Sequence, residues 1–199
     1  MNYSLLIDTS DKYLSVGIVL NEKIVYSCSF EAWQRQSEFL VVEIEKALNS
    51  IDIKMKDIKS IIVGKGPGSY TGVRIALTFA KVLGSTTSVK VKTVSSLAIL
   101  GSTDIAFVSL INARGGRSYI GIYDHGNIVL NDTIKTNDEV LALVNTYKKM
   151  GYEIKGDTKY LGIDSEPIDI VKGLFSFGSI AKYESEIITL KPVYLKEVL

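Results

Sequence analysis

From residue 4 to residue 30 the chain alternates apolar runs with short polar breaks. SLLIDTS, LSVGIVL and KIVYSCSF are separated only by Asp11-Lys12 and Asn21-Glu22. Runs of this length rich in β-branched residues read as strands, and connections this short force neighbouring strands to pair antiparallel. The period then changes. Between Gln36 and Ser50, Leu40, Ile44, Ala47 and Leu48 fall on one stripe with Ile51, which predicts an amphipathic helix. A short apolar strand at Ser60 to Gly64, a second helix at Thr71 to Leu83 and a strand at Val89 to Val94 complete a β-β-β-α-β-α-β first half.

The second half repeats this style more weakly. DIAFVSLI (104–111), SYIGIYD (118–124) and NIVLNDTI (127–134) read as strands, with Asp124-His125-Gly126-Asn127 as a hairpin turn. A helix from Asp138 to Lys149, a strand at Tyr152 to Lys155 and two short helices near Ser165 to Lys172 and Ser179 to Tyr183 follow. The pattern predicts an α/β fold of two lobes, residues 1–100 and 101–199. Each would be a mixed sheet with a three-stranded antiparallel meander plus helices, and the last segment could pack back on the first lobe. No sequence repeat proves a duplication.

Composition narrows the class. Of 199 residues, 46% are apolar and 23% charged, with three prolines, which is globular. Net charge is +1, yet no acidic residue occurs between Ile58 and Thr103, a run that carries Lys59, Lys65, Arg74, Lys81, Lys90 and Lys92. That run either favours an anionic partner or is a solvated basic face balanced elsewhere. Cys28 is the single cysteine, so an internal disulfide is excluded; a reducing compartment and a small buried hydrophobe are expected. MNYSLLIDTSDK has no basic leader and no apolar stretch approaches a membrane span, so a cytoplasmic protein without membrane contact is expected.

GKGPGSYTGVRIALTFAKVLG, Gly64 to Gly84, has the look of a phosphate turn. It lacks the spacing and the Gly-Lys-Ser/Thr ending of a Walker A loop. A dinucleotide fingerprint would need glycine where Ser69 stands and an acid about twenty residues on. Pro67 should bias Gly66 toward extended backbone, Gly68 permits a sharp bend, and Ser69, Tyr70 or Thr71 can cap the helix that follows. The turn is therefore either an anion or nucleotide site or a tight strand-to-helix connection without ligand. The residues a ligand would use are Asp8, Thr9 and Ser10 at the end of the first strand, with Gly66, Gly68, Ser69, Thr71 and Arg74.

The helix behind the turn has apolar positions over more than half its circumference and a small-residue ridge at Gly72, Ala76, Ala80 and Gly84. Phe39 and Val42 form a second apolar patch on the first helix beside Lys46. Both helices are expected to bury one side in their own lobe and the other in a neighbour, through Phe39, Val42, Lys46, Val73, Ala76, Leu77 and Ala80. The alternative is that the second lobe or a C-terminal segment covers them.

Catalytic candidates are scarce. His125 is the only histidine and lies in a turn, so neither a triad nor a histidine-cysteine metal site can be assembled, and no catalytic or metal residue is assigned. A magnesium site on Asp8 is the one conceivable alternative; an aspartate capping its own turn is the other reading.

LLIDTSDKYLSVGIV together with GPGSYTGVRIALTFAKVLG resembles the TsaB (YeaZ) family, with weaker similarity in INARGGRSYIGIY (111–123), through Arg114 and Tyr119, and in KPVYLKEV (191–198). The resemblance implies two actin/Hsp70/sugar-kinase-like (ribonuclease H-like) lobes. It implies an accessory, non-catalytic subunit of tRNA threonylcarbamoyladenosine synthesis that holds a TsaD-like catalytic paralogue and works with a TsaE-like ATPase. Contact with tRNA would be indirect. No intrinsic cofactor is implied, ATP and Mg would enter only in the complex, and the isolated chain would form a homodimer. The alternative function is a Mg-ATP-dependent ATPase or small-molecule kinase of the same superfamily. Gln36-Ser37 stands where the family has His-Ser, and Asn112-Ala113-Arg114 where it has Asp-Ala-Arg. The chain is short for the family, so a trimmed second lobe or C-terminal extension is expected.

Overall fold

The computed structural model describes residues 2–195; the Lys196 to Val198 part of the family-like ending lies outside them. Three strands open the chain, β1 (Tyr3–Asp8), β2 (Tyr13–Leu20) and β3 (Lys23–Glu31). They are followed by α1 (Gln36–Ser50), β4 (Ile58–Gly64), α2 (Tyr70–Thr86) and β5 (Lys90–Val94). The sheet order is β3-β2-β1-β4-β5, antiparallel within the meander and parallel from β1 through β5. β1 is therefore central, and Leu5, Leu6 and Ile7 have no exposed surface. The second sheet, β8-β7-β6-β9, is built from β6 (Ala106–Arg114), β7 (Arg117–Asp124), β8 (Asn127–Thr136) and β9 (Glu153–Gly156). Here too a meander precedes a parallel strand, with α3 (Asn137–Lys149) as the crossover. Two such lobes are the ribonuclease H-like, actin-like architecture. No helix of the described residues is long and apolar enough to cross a membrane.

Three cores result. α1 and α2 cover one face of the first sheet around Leu5, Ile7, Leu40, Ile44, Ile61, Ala76 and Leu77. α3 covers the outer face of the second sheet around Leu110, Ile120, Val140 and Val144. Between the lobes lies the third, where Leu6, Ile62, Ile99, Phe107, Tyr123, Leu174 and Phe177 meet. Phe107 stacks on Tyr123 with centroids 5.0 Å apart, and Phe177 presents an edge to both rings.

The inter-lobe core depends on α4 (Ile170–Ile180). Two separate helices near Ser165 to Lys172 and Ser179 to Tyr183 were expected; the structure has this single one, capped by the Asp169 side chain on the Lys172 amide. Gly173 and Gly178 in GLFSFGS suggest a break, but they serve close approach. A Cβ on Gly173 would collide with the Ile99 carbonyl, and one on Gly178 would lie 2.5 Å from Ile62. Tertiary packing thus overrides the local helix cost of glycine.

A polar contact also joins the lobes. Asp132 on β8 accepts from Ser95 Oγ at 2.5 Å and from the Tyr123 hydroxyl, and Ser95 also caps the amides of Leu97 and Ala98. Burial pushes the Asp132 carboxyl up, opposed by these hydrogen bonds and by Lys65.

After α4 the chain forms a strap, 181–195, that crosses the β5 edge and returns along α2. Tyr183 bridges to Lys92, the Glu184 amide donates to the Val91 carbonyl, and Ile187 packs against Gly84. Lys81 Nζ donates to the Leu190 carbonyl at 3.1 Å, and the Val193 amide to the Lys65 carbonyl at 2.8 Å. The strap covers one flank of the second helix.

Gly173→Ala should destabilise the protein by roughly 3 kcal/mol, at the high end for an overpacked contact, because a backbone carbonyl has little room to yield. Urea unfolding should show a lower midpoint with an unchanged slope.

Candidate functional site

The end of β1 and the start of α2 are one tightly packed unit. The Ser69 amide donates to the Ser10 carbonyl at 2.7 Å, and Ser69 Oγ caps the Gly72 amide at 3.2 Å. Thr9 Oγ1 donates to the Gly72 carbonyl at 2.6 Å and accepts from the Ala76 amide at 3.2 Å. A side chain at Gly68 would strike the Ser10 carbonyl, and one at Gly72 the Thr9 carbonyl. These two glycines are there so that backbone can meet backbone.

Gly66 departs from the extended geometry expected before Pro67. Its φ is +97°, a region glycine enters without penalty, and a Cβ there would sit 2.7 Å from the Val193 carbonyl of the strap. The Gly66 amide donates to Ser96 Oγ at 3.0 Å and its carbonyl accepts from the Ser96 amide at 2.9 Å. The turn is thus filled from below by Ser10, from the side by Ser96 and from above by Val193.

Asp8 lies beneath it, 4% exposed. Its Oδ2 accepts from the Ser10 amide and hydroxyl at 3.1 and 2.9 Å, while Oδ1 abuts Gly64 and is a buried oxygen without a hydrogen-bond partner. Burial raises its pKa to about 7, against the lowering effect of the Ser10 hydrogen bonds.

The residues proposed for an anion or nucleotide are therefore brought together, but not as a cradle. Thr9, Ser10 and Gly68 are occupied with one another, Gly66 lies under the strap, and only Thr71 and Arg74 are exposed. The Arg74 guanidinium sits 4.5 Å from the centroid of Tyr70. Among the described residues no group of three or more His, Cys, Asp or Glu side chains converges. A magnesium-phosphate pair does not fit here: the one carboxylate is sealed by Gly64, and the space above the glycines holds the chain's own backbone.

Of the expected partner contacts, four need correction. Val73, Ala76, Leu77 and Ala80 are at most 2% exposed, and the last three belong to the core beneath the first sheet. The small-residue ridge faces inward: Gly72 meets Thr9 of the neighbouring strand end, and Gly84 meets Val91 and Ile187. Residues with no accessible surface cannot touch a partner without unfolding the lobe. Phe39 is half-buried, edge-on to Phe30 at 5.9 Å with the Arg35 guanidinium 4.6 Å away. Val42 is 46% exposed and Lys46 is exposed, its Nζ 3.4 Å from Glu43.

Two apolar residues that sequence reasoning missed are more accessible, Val41 at 59% and Val82 at 54%. The signal for them is the wheel position opposite each helix's buried stripe. Cys28, expected to be buried, is half-exposed beside Glu43. Burial pushes Glu43 up, but hydrogen bonds from Tyr26, at 2.5 Å, and Cys28, with Lys46 nearby, hold it below the usual carboxylate range. His125 is exposed with φ +47° in the β7–β8 turn.

Fold and turn together define a two-lobed actin-like protein whose phosphate-type turn is packed shut. A protein-family model described as TsaD, tRNA N6-adenosine threonylcarbamoyltransferase, matches residues 31–166. The tRNA threonylcarbamoyladenosine biosynthesis protein TsaB of Bacillus subtilis is 32% identical over 69% of this chain and 62% of its own length. The uncharacterized protein MG208 of Mycoplasma genitalium is 27% identical over 98% of this chain and 95% of its own. YeaZ from Pseudomonas aeruginosa superposes with a TM-score of 0.83 at 21% identity, covering 98% of this chain and all of that one. The chain belongs to the family of that model, TsaD, and is similar to the TsaB proteins within the lengths given. It aligns with less than two thirds of the TsaB relatives' length, 62% in Bacillus subtilis and 62% in Buchnera aphidicola.

The raised Asp8 value sets a pH dependence. Its folded pKa lies above the unfolded one, so the folded state holds an extra proton between about pH 4 and pH 7, and stability falls as pH rises through that window. The loss approaches about 4 kcal/mol above pH 7 at 1.36 kcal/mol per unit. Asp8→Asn removes this ionisation; urea unfolding at pH 5 and pH 8 should show the variant gaining on the wild type at the higher pH.

Proposed function

We propose that the chain is a non-catalytic scaffold of tRNA threonylcarbamoyladenosine synthesis that holds a TsaD-like transferase and works beside a TsaE-like ATPase. The family supports the pathway, since the relatives that carry a functional name are biosynthesis proteins for this modification. One observation carries the scaffold role: the turn that an ATP-using relative would keep open is filled by Ser10, Ser96 and Val193. A chain with this turn closed has no place for phosphates there, and its use lies on its surface.

Neighbouring helices α1 and α2 supply that surface through Val41, Val42 and Val82, with half-buried Phe39, Ile75 and Phe79 beneath. Exposed apolar residues gathered on one pair of helices mark an interaction site. Without the transferase, two copies of the chain would pair through the same helices.

Ala76→Arg is a poor probe, because Ala76 has no exposed surface and the lobe would unfold. Val41→Glu with Val82→Glu changes exposed positions, so folding stability should move by no more than about 0.5 kcal/mol each. Co-purification with the TsaD protein of the same organism should fall at least 10-fold, and sedimentation should show the isolated variant as a monomer. Undiminished pairing by the folded variant would falsify the interface. Tight Mg-ATP binding by the isolated wild type in calorimetry, lost in Asp8→Ala, would overturn the scaffold reading in favour of an ATPase or kinase.

A further inference from the structure

We infer that the surface of α1 and α2 takes a second copy of this chain in one orientation, each copy laying its α1 on α2 of the other about a twofold axis that runs along the helices. The inference rests on the proposed function only in using the same surface. Charge sets the orientation. α2 carries Arg74 and Lys81 and no acid, whereas the exposed acids of the helix pair, Glu38 and Glu45, are both on α1. Arg74 is exposed over the Tyr70 ring, without an ion pair among the described residues, and Lys81 is half-buried with its Nζ on the Leu190 carbonyl. Glu45 is exposed and likewise unpaired, and Glu38 is shared with Arg35 at 2.9 Å. The other charges of α1 satisfy one another: Glu43 is buried against the Tyr26 hydroxyl, and Lys46 stands 3.4 Å from it.

The spacings match as well. Glu38 and Glu45 are seven residues apart, and so are Arg74 and Lys81, which is two helical turns or about 10 Å in each case. Both helices start beside the β1–β2 turn, since Gln36 Nε2 donates to the Asp11 carbonyl at 2.9 Å and the Ser69 amide to the Ser10 carbonyl at 2.7 Å. They also run the same way, because each leads into a strand parallel to β1, α1 into β4 and α2 into β5. Glu38 is the third residue of α1 and Arg74 the fifth of α2. At 1.5 Å per residue the two acids therefore lie within about 3 Å of the level of the two cations.

A twofold axis along the helices keeps these levels and exchanges the sides. It sets Glu38 and Glu45 of one copy against Arg74 and Lys81 of the other, twice over, as an isologous interface requires. An axis across the helices would lay α1 on α1 and α2 on α2, bringing acid onto acid and cation onto cation. Opposed like charges are costly, and opposite ones select orientation and register. Val41, Val42 and Val82, exposed on the same helices, supply the apolar area, with Ile75 and Phe79 half-buried beneath. A transferase on this surface would meet the same polarity, and it would displace the second copy rather than join it.

Sedimentation of charge-reversed chains tests the orientation. Glu38→Lys with Glu45→Lys, and separately Arg74→Glu with Lys81→Glu, should each weaken self-pairing roughly 100-fold or more. An equimolar mixture of the two should recover the dimer, because each acidic helix then meets a basic one. Wild-type pairing should weaken roughly 10-fold from low to high salt. Thermal melting checks that each variant folds, and Arg74→Glu alone keeps the readout if Lys81→Glu frees the strap. A monomeric wild type, reversed chains that pair as the wild type does, or folded reversed chains that stay apart on mixing overturn the inference. Wild-type pairing that strengthens with salt points to α1 on α1 and overturns it too. Failed mixing beside transferase co-purification that Val41→Glu with Val82→Glu abolishes removes the self-pair alone. Successful mixing beside co-purification that ignores those two changes removes the proposed transferase interface alone.

Discussion

The backbone of Thr9 and Ser10 presses against Gly68 and Gly72, and the placement of α2 follows from that contact. Two carbonyls lie where any other residue would project a Cβ, and Thr9 Oγ1 ties the first turn of the helix to the end of β1 through Gly72 and Ala76. With α2 held down at its start, Ala76, Leu77 and Ala80 close over Leu5 and Ile61, and the opposite side of the helix is left for other contacts. The contact also determines the chemistry of the turn. The Gly66 and Ser69 amides are already bonded to Ser96 Oγ and the Ser10 carbonyl, and Asp8 is buried underneath with one oxygen unsatisfied. A buried carboxylate in that position is held most cheaply as the neutral acid, which is why its pKa is pushed to about 7.

The strap completes the enclosure and joins features that are distant in sequence. It supplies the carbonyl over Gly66, covers the Gly84 end of α2 and adds a short antiparallel contact on the β5 edge, where an unpaired strand would otherwise stand. It also brings Tyr183 beside Lys90 and Lys92 of β5 and Tyr194 onto the Tyr70 ring of α2. Closure of the glycine turn at Gly66 and cover of α2 at Gly84 are therefore two results of one segment's path. The inter-lobe core around Phe107, Tyr123 and Phe177 fixes where that segment starts.

Much of this was legible in the residues. The meander, the first helix and the parallel strands were readable because period-2 and period-3.6 patterns are set locally by which face is buried, and α1 begins and ends at Gln36 and Ser50 as its stripe implies. The failure of the nucleotide signatures was legible too, from spacing alone. α4 was not, because Gly173 and Gly178 weaken the local signal and their reason lies at Ile99 and Ile62 in the other lobe. The role of the small-residue ridge was misread on the same ground: a wheel shows that a side is small and apolar, and both a sheet and a partner helix demand that.

The sequence by itself determined the first meander, the first two helices, the α/β class and the family, since each depends on residue types at short spacing. Only the tertiary structure decided which side of α2 is free, that Val41 and Val82 rather than Ala76 and Ala80 are accessible, and that Ser96 and Val193 fill the glycine turn. Burial is a property of what lies across from a residue. The Thr9 and Ser10 carbonyls, Ile187 and Val193 reach this helix and turn from far along the chain, where no local pattern can register them.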